Sequence, residues 1–294
     1  MKVVVGGTRG SFPISQRNFL RYGGDTTSFL VEGAGGERVL LDLGTGARRL
    51  GDRLRGSPTA VLVLLTHFHL DHVIGLPALS LLYEAGARIE FAAPSRHGRK
   101  IARELSGMLA PPHWPLRLER MAAALRFFRL PEMKSDRPLR RGGLRIRWAP
   151  VHHPGGCWSY RLDEPSTGAS TVFATDVEWP LMTAAARARW IAWARHPAPP
   201  EALFYDGQWT PEDYEGHRGW GHSRWTDAVE VARAIGARRL WLIHHAPDRD
   251  DRALSAIERR LRAAFPRGRA SRQGEVISLR AAPDRRRSAD ESNP

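Results

Sequence analysis

Residues 59–79 read TAVLVLLTHFHLDHVIGLPAL. The first half is an apolar run of strand length, the composition of a central strand covered on both faces. The second half places His67, His69, Asp71 and His72 within six positions. A packed core gains nothing from such a cluster at the mouth of a buried strand, whereas a divalent metal does. Imidazole nitrogens and carboxylate oxygens suit zinc, manganese or iron. In a tight turn residues 67 and 69 project together, and 71 and 72 reach a neighbouring volume as the chain turns into a helix. Four donors this close in sequence do not complete two sites, so further ligands must come from later strand ends.

The later chain supplies them. APVHHPGG offers His152 and His153, VFATDVEW offers Asp176, GWGHS offers His222, and LWLIHHAP offers His244 and His245. Of the 12 histidines, all but His97, His113, His196 and His217 fall in these segments or in the opening cluster. A lone strand-end histidine is ordinarily a satisfied structural group, but this accumulation at the ends of separate strands points to a metal centre.

Around these segments the pattern alternates strands and helices. Strands are expected at 2–6, 27–32, 37–44, 60–66, 87–94, 125–130, 144–151, 157–163, 170–175, 201–207, 237–245 and 275–280. Helices are expected at 46–55, 72–86 with Gly86 as the stop, 179–195, 223–236 and 250–265. For the helix at 223–236, Ser223 is the expected N-cap and Gly236 the stop. Residues 95–125 carry helical periodicity broken by Pro111, Pro112 and Pro115. No repeat or linker divides residues 1–280, which read as one domain with insertions, and residues 281–294 read as a disordered tail.

Composition narrows the function classes. The 294 residues are 42% hydrophobic, enough for one large core or two small ones. No apolar stretch reaches the roughly 18 residues a membrane span needs, so no membrane partner is expected. The start MKVVVGGTRGSFP is too short and glycine-rich for a signal peptide. Cys157 is the single cysteine, which leaves no intrachain disulfide framework and no cysteine-rich zinc site. A cytoplasmic protein is expected. The formal net charge of +14 attracts anions. Lys2, Lys100 and Lys134 are the only lysines, and the arginines are spread out with no flexible basic arm. A small anionic substrate is therefore expected ahead of RNA. Trp209, Trp220 and Trp225 flank His222 and either stack a nucleobase or sugar or pack in the core.

The ordered set THFHLDH, HHPGG, TD and LIHHAP resembles the metallo-β-lactamase-fold hydrolases over about residues 3–250. The resemblance implies an α/β, four-layer αββα sandwich of two mixed sheets flanked by helices, with metals at one edge between the sheets. GTRGSFP, YGGDTTSFLVEG, LLDLGTGARRLG and GWGHS are similar to the phosphodiesterase branch. That branch holds the phosphoribosyl 1,2-cyclic phosphate phosphodiesterases and, more distantly, ribonuclease Z. Members commonly carry Asn where this chain has Asp25, a departure that bears on a turn contact.

Carried over by position, the resemblance implies that His67, His69 and His153 hold a first metal. Asp71, His72 and His244 hold a second, and Asp176 bridges. His153 is preferred to His152 by its seven-residue spacing to Tyr160, and His244 to His245 by Pro247. Asp176 stands where true β-lactamases of the fold commonly carry a Cys ligand, which argues against lactam chemistry. The implied cofactors are two divalent ions, zinc first, with manganese or iron as alternatives. The implied reaction is attack on a phosphodiester by a metal-bridged hydroxide. Asp71 is expected to steer the nucleophile with its second oxygen. His222, ahead of a helix start and outside the ligand set, is expected to bind phosphate or protonate the leaving alkoxide. Asp42 and Asp206 each either orient a ligand histidine or cap a turn. A homodimer is the expected assembly. The alternatives are an RNA-processing nuclease, another ester, lactone, thioester or phosphomonoester hydrolase of the same fold, and a non-catalytic metal-bearing scaffold.

Overall fold

The computed structural model describes residues 1–56, 60–94, 101–131 and 137–280. The expected tail at 281–294 lies outside them, as do residues 95–100 at the start of the proline-interrupted segment. One sheet is built from β1 (Lys2–Gly7), β2 (Ser28–Glu32), β3 (Arg38–Leu41), β4 (Val61–Leu64), β5 (Arg88–Pro94) and β6 (Ala124–Leu130). The other contains β7 (Leu139–Arg141), β8 (Leu144–Val151), β9 (Cys157–Glu164), β10 (Ala169–Ala174), β11 (Ala202–Asp206), β12 (Arg239–Ile243) and β13 (Gly268–Ala270). The last strand, β14 (Val276–Ser278), returns to the first sheet beside β1. The strand orders are β14-β1-β2-β3-β4-β5-β6 and β13-β12-β11-β10-β9-β8-β7. In each sheet an antiparallel half meets a parallel half, so both are mixed.

Side-chain alternation assigns the layers. Leu62 and Leu64 of β4 face Phe29, Trp148, Phe173 and Phe204 in the core between the sheets. Val61 and Val63 face the opposite way, against Leu50 and Leu54 of helix α1 (Ala47–Leu54). All four β4 residues are buried, as a strand covered on both faces must be. The outer face of the second sheet packs under α3 (Ala184–Arg195), α5 (Trp225–Ile235) and α6 (Asp251–Ala264) through Trp190, Ala232, Ile257 and Leu261. The smaller α2 (Ile101–Met108) covers the first sheet and α4 (Pro211–Tyr214) lies in a loop. Helix, sheet, sheet, helix is the four-layer order the resemblance implies. Among the described residues no helix is long and apolar enough to cross a membrane.

Four local expectations need correction. The helix expected at 72–86 is three 3₁₀ turns, Leu70–His72, Leu76–Ala78 and Ser80–Tyr83. Leu43 N–H donates to His72 O (2.7 Å) and Gly75 N–H to Leu43 O (2.8 Å), so the segment spends its backbone groups on a neighbouring loop. Pro77 then removes another donor. The α5 cap is Arg224, whose N–H donates to Asp227 (2.9 Å), rather than Ser223. Ser223 is taken by Val177 O and Trp179 N–H. The helix expected from 179 begins at Ala184, behind the Thr183 cap and a 3₁₀ turn at Trp179–Leu181. Finally, β7 and β13 were not expected; each spans three residues and carries arginine at exposed positions, which hides any apolar alternation.

Candidate metal centre

The chemistry-bearing residues emerge at strand ends along one rim. His67 and His69 follow β4, His153 follows β8, Asp176 follows β10, Asp206 closes β11 and His244 follows β12. Tyr160 OH donates to Leu65 O across the sheets (2.7 Å), which pins the exit of β4 to the second sheet. Two sets of side chains converge. Donor atoms of His67, His69, His153 and Asp176 lie within 4.8 Å of one another, as do those of Asp71, His72 and His244. Asp176 divides between them. Its Oδ1 lies 3.7 Å from Nε2 of both His67 and His153. Its Oδ2 lies 3.1 Å from His72 Nε2 and 3.3 Å from His244 Nε2.

The imidazoles are held from behind. His72 donates Nδ1–H to Asp42 Oδ2 (2.8 Å), His153 to Gly221 O (2.9 Å) and His244 to Gln208 Oε1 (3.0 Å). Thr66 donates its hydroxyl to Asp42 (2.8 Å) and accepts from His67 Nδ1–H (3.0 Å). Each tether fixes a tautomer whose Nε2 lone pair points to the cluster, the arrangement that orients metal-ligating histidines. The Nε2 atoms of His72 and His244 sit only 3.3 Å apart. His67 Nε2 is buried without a hydrogen-bond partner. Lone pairs facing one another and an orphaned buried nitrogen fit a cation among them. His69 is exposed and marks the side open to solvent.

The electrostatics agree. Burial pushes the pKa of His67 well below its usual range, lowers that of His69, and brings His153 down to about 4. These three rings are therefore neutral donors. Burial opposes charge on Asp176 and Asp71 as well, yet the surrounding histidines outweigh it and hold both carboxyls below the ordinary range. At His72 and His244 burial is outweighed in turn by Asp176 and Asp71, and both pKa values are raised. The carboxylates thus draw positive charge toward themselves, onto His72 and His244 where no cation is bound. A divalent ion satisfies that demand.

Every residue expected at the site is at the cluster, and the neighbours passed over are not. His152 is exposed, and buried His245 donates Nε2–H to Ser271 O (3.1 Å), away from it. His222 lies closer than its separate role implies, since with Asp176 and His244 it forms a third set within 4.8 Å. It donates Nδ1–H to Asp206 Oδ2 (2.8 Å). Both open questions about aspartates therefore resolve toward orienting a histidine: Asp42 holds His72 and Asp206 holds His222. Asp25 makes its turn contacts, accepting from Thr45 (2.9 Å) and Gln273 (2.6 Å). Cys157 is buried, which pushes its thiol well above the usual range and keeps it out of the donor set. Of the three tryptophans near His222, Trp209 and Trp225 are buried and Trp220 is exposed.

Sequence reasoning missed four supporting groups. Thr66 links Asp42 to His67, Gln208 holds His244, and Ser11 donates its amide to Asp71 Oδ2 (2.8 Å). Glu178, buried, accepts from Gly219 N–H (2.7 Å), Gly221 N–H (2.8 Å) and Tyr214 OH (2.8 Å). Thr66, directly before the first histidine, carries the only sequence signal among them. Among the described residues, four other than glycine have left-handed backbone, and all belong here: Ser11 (φ 63°), Asp42 (59°), Asp176 (52°) and His244 (60°).

A family model described as the beta-lactamase superfamily domain matches residues 37–245, and the chain belongs to that superfamily. Ribonuclease Z of Haloarcula marismortui is 27% identical over 167 residues, 56% of this chain and 48% of that one. Ribonuclease Z of Pyrobaculum aerophilum is 34% identical over 101 residues, 33% of each chain. The chain thus spans about half or less of the length of these curated relatives. Among solved structures, human tRNase Z, short form, superposes with a TM-score of 0.67 at 17% identity, covering 96% of this chain and 100% of that one. A diphosphatase from the PhnP family gives 0.65 at 19% identity, covering 96% and 99%. At these identities the likeness is one of fold, the metallo-β-lactamase αββα sandwich.

Proposed function

We propose that this member of the superfamily is a dinuclear metal-dependent hydrolase that cleaves a small cyclic or linear phosphodiester. The observation that carries the reading is the division of Asp176, one oxygen toward His67 and His153 and the other toward His72 and His244. A carboxylate so placed suits a bridge. His67, His69 and His153 would hold one ion and Asp71, His72 and His244 the other. Zinc fits a set of imidazoles with carboxylates; manganese and iron share it. Two such ions, when bound, would supply an activated hydroxide and would neutralise charge on the phosphoryl oxygens.

The protein's own groups do the rest. Asp71 Oδ2 accepts from the Ser11 amide, which leaves its other oxygen to orient the attacking water. Asp206 fixes His222 through Nδ1–H, so that His222, as the imidazolium, can give its Nε2 proton to the departing alkoxide and return to the neutral ring. The matches to ribonuclease Z and the +14 charge favour a second reading, cleavage of RNA.

The test is metal-reconstituted protein assayed on bis(p-nitrophenyl) phosphate, with elemental analysis of the same sample. Two ions per chain and turnover are expected. One ion or none under metal-replete conditions would sink the dinuclear model, and absent turnover would favour the scaffold reading. Salt-dependent binding of short RNA would move the assignment to the nuclease.

A further inference from the structure

We propose that Trp220, with Phe12 and Leu70, forms an apolar rim that binds a planar aromatic group of the substrate. The preferred diester then carries an aryl or nucleobase substituent rather than a bare alkyl or sugar one. The inference rests on the phosphodiesterase reading and names its substrate class.

Large exposed hydrophobic side chains are few among the described residues, and three of them stand next in sequence to residues of the metal centre or its supports. Phe12 is 60% exposed, Leu70 56% and Trp220 61%. Phe12 follows Ser11, whose amide contacts Asp71; Leu70 precedes Asp71; Trp220 precedes Gly221, whose carbonyl holds His153. The phosphate charge is answered by the cluster itself. The rim offers apolar surface for the uncharged part of the ligand.

Trp220 is also displayed by a built device. The amides on either side, of Gly219 and Gly221, both donate to the buried Glu178 carboxylate. Both glycines have positive φ, 88° and 94°, so the backbone bends outward at Trp220. A Cβ on Gly221 would stand 2.2 Å from His153 Nδ1, so the turn is pressed onto a candidate ligand. The indole is braced edge-on by His217 (centroids 4.9 Å apart) and by Trp209 (6.3 Å), and His217 itself stacks on Trp209 at 3.8 Å. A buried carboxylate with three donors, two left-handed glycines and two aromatic braces hold one indole largely in solvent, one residue from the Gly221 carbonyl that tethers His153. Packing on Trp209 and His217 accounts for the covered part of Trp220 but not for the face left in solvent. Stacking on a ligand ring does.

The test uses metal-loaded protein and two diesters with one leaving group, bis(p-nitrophenyl) phosphate and methyl p-nitrophenyl phosphate. The wild type is expected to show a lower KM for the aryl diester. Trp220→Ala should abolish that preference by raising the aryl KM about 5- to 100-fold, with metal content retained. Trp220→Phe should recover most of it. A preference that survives in Trp220→Ala, or a KM rise equal for both diesters, overturns the rim. Titration with phenylphosphonate and methylphosphonate reads the rim without turnover. Phenyl selectivity in the wild type that is lost in Trp220→Ala supports it even if neither diester is cleaved, and equal wild-type affinities overturn it.

Discussion

The second sheet carries buried carboxylates at both ends, and they are satisfied in opposite ways. At the end of β9, Asp163 accepts from Arg161 through Nε (2.9 Å) and a terminal nitrogen (2.7 Å), and from Arg147 (3.2 Å). The same guanidiniums donate to Ala194 O and His196 O at the end of α3. Every strong group there has a partner supplied by the chain, although a concavity of about 760 Å³ lies alongside. At the other end Asp176 is met by imidazoles and the Thr175 hydroxyl (2.5 Å), and one of the imidazoles, His67, keeps an unpartnered nitrogen. Guanidinium is a permanent cation and closes a charge balance within the protein. Imidazole can give up its proton and offer a lone pair instead, so the balance can pass to a bound cation. The size of a hollow therefore says less about function here than which basic side chain a buried carboxylate has been given.

Replacing each carboxylate is the sharpest way to break this contrast. Asp176→Ala should lose metal at both sites and more activity than the roughly 10²–10⁴-fold typical of a lost general acid, read by elemental analysis and diester turnover. Asp163→Ala should keep both ions. It should lower stability by about 3–5 kcal/mol, because two buried guanidiniums lose their counter-charge, as a urea midpoint would show. Metal retained in the first variant or shed by the second would erase the distinction.

A smaller effect is expected at His222. His222→Ala should reduce kcat by about 10²–10⁴-fold for an alkoxide leaving group, and less for p-nitrophenolate, which needs little protonation. Its ions should stay. Equal losses for both leaving groups count against proton transfer, and a lost ion makes His222 a ligand, which its closeness to Asp176 and His244 keeps open to test. Smaller again, Asp42→Asn should weaken metal affinity about 10–100-fold through His72, measured by chelator competition; an unchanged affinity would return Asp42 to a turn residue. The smallest signal is expected at His152. His152→Ala should leave metal content as it is, whereas His153→Ala should shed an ion, and the reverse pattern would overturn the assignment of that pair.

The strand ends were legible because metal donors cannot be explained as core, and β4 because an unbroken apolar run of that length has few other uses. The choices of His153 and His244 followed from spacing, and each ring does face the cluster while its neighbour does not. What stayed hidden was tertiary. Asp42 reads as a turn residue until His72, 30 positions on, is folded against it. Glu178 has no motif at all; its partners are amides some 40 residues away. The segment 72–86 misled because its apolar spacing is helical, and only the pairing of Gly75 with Leu43 shows that its backbone is committed elsewhere.

The left-handed backbone at Asp42, Asp176 and His244 bears on how this protein would evolve under artificial selection. Glycine relieves about 1–2 kcal/mol at such a position, and each of these side chains serves the site. A library ranked by melting temperature alone, grown with a chelator present, would enrich glycine at Asp176 and His244, while Asp42 is kept by its buried bonds to Thr66 and His72, and would return sturdier molecules stripped of donors. Stability screens on this scaffold should therefore be run with metal in the medium and activity as a second gate.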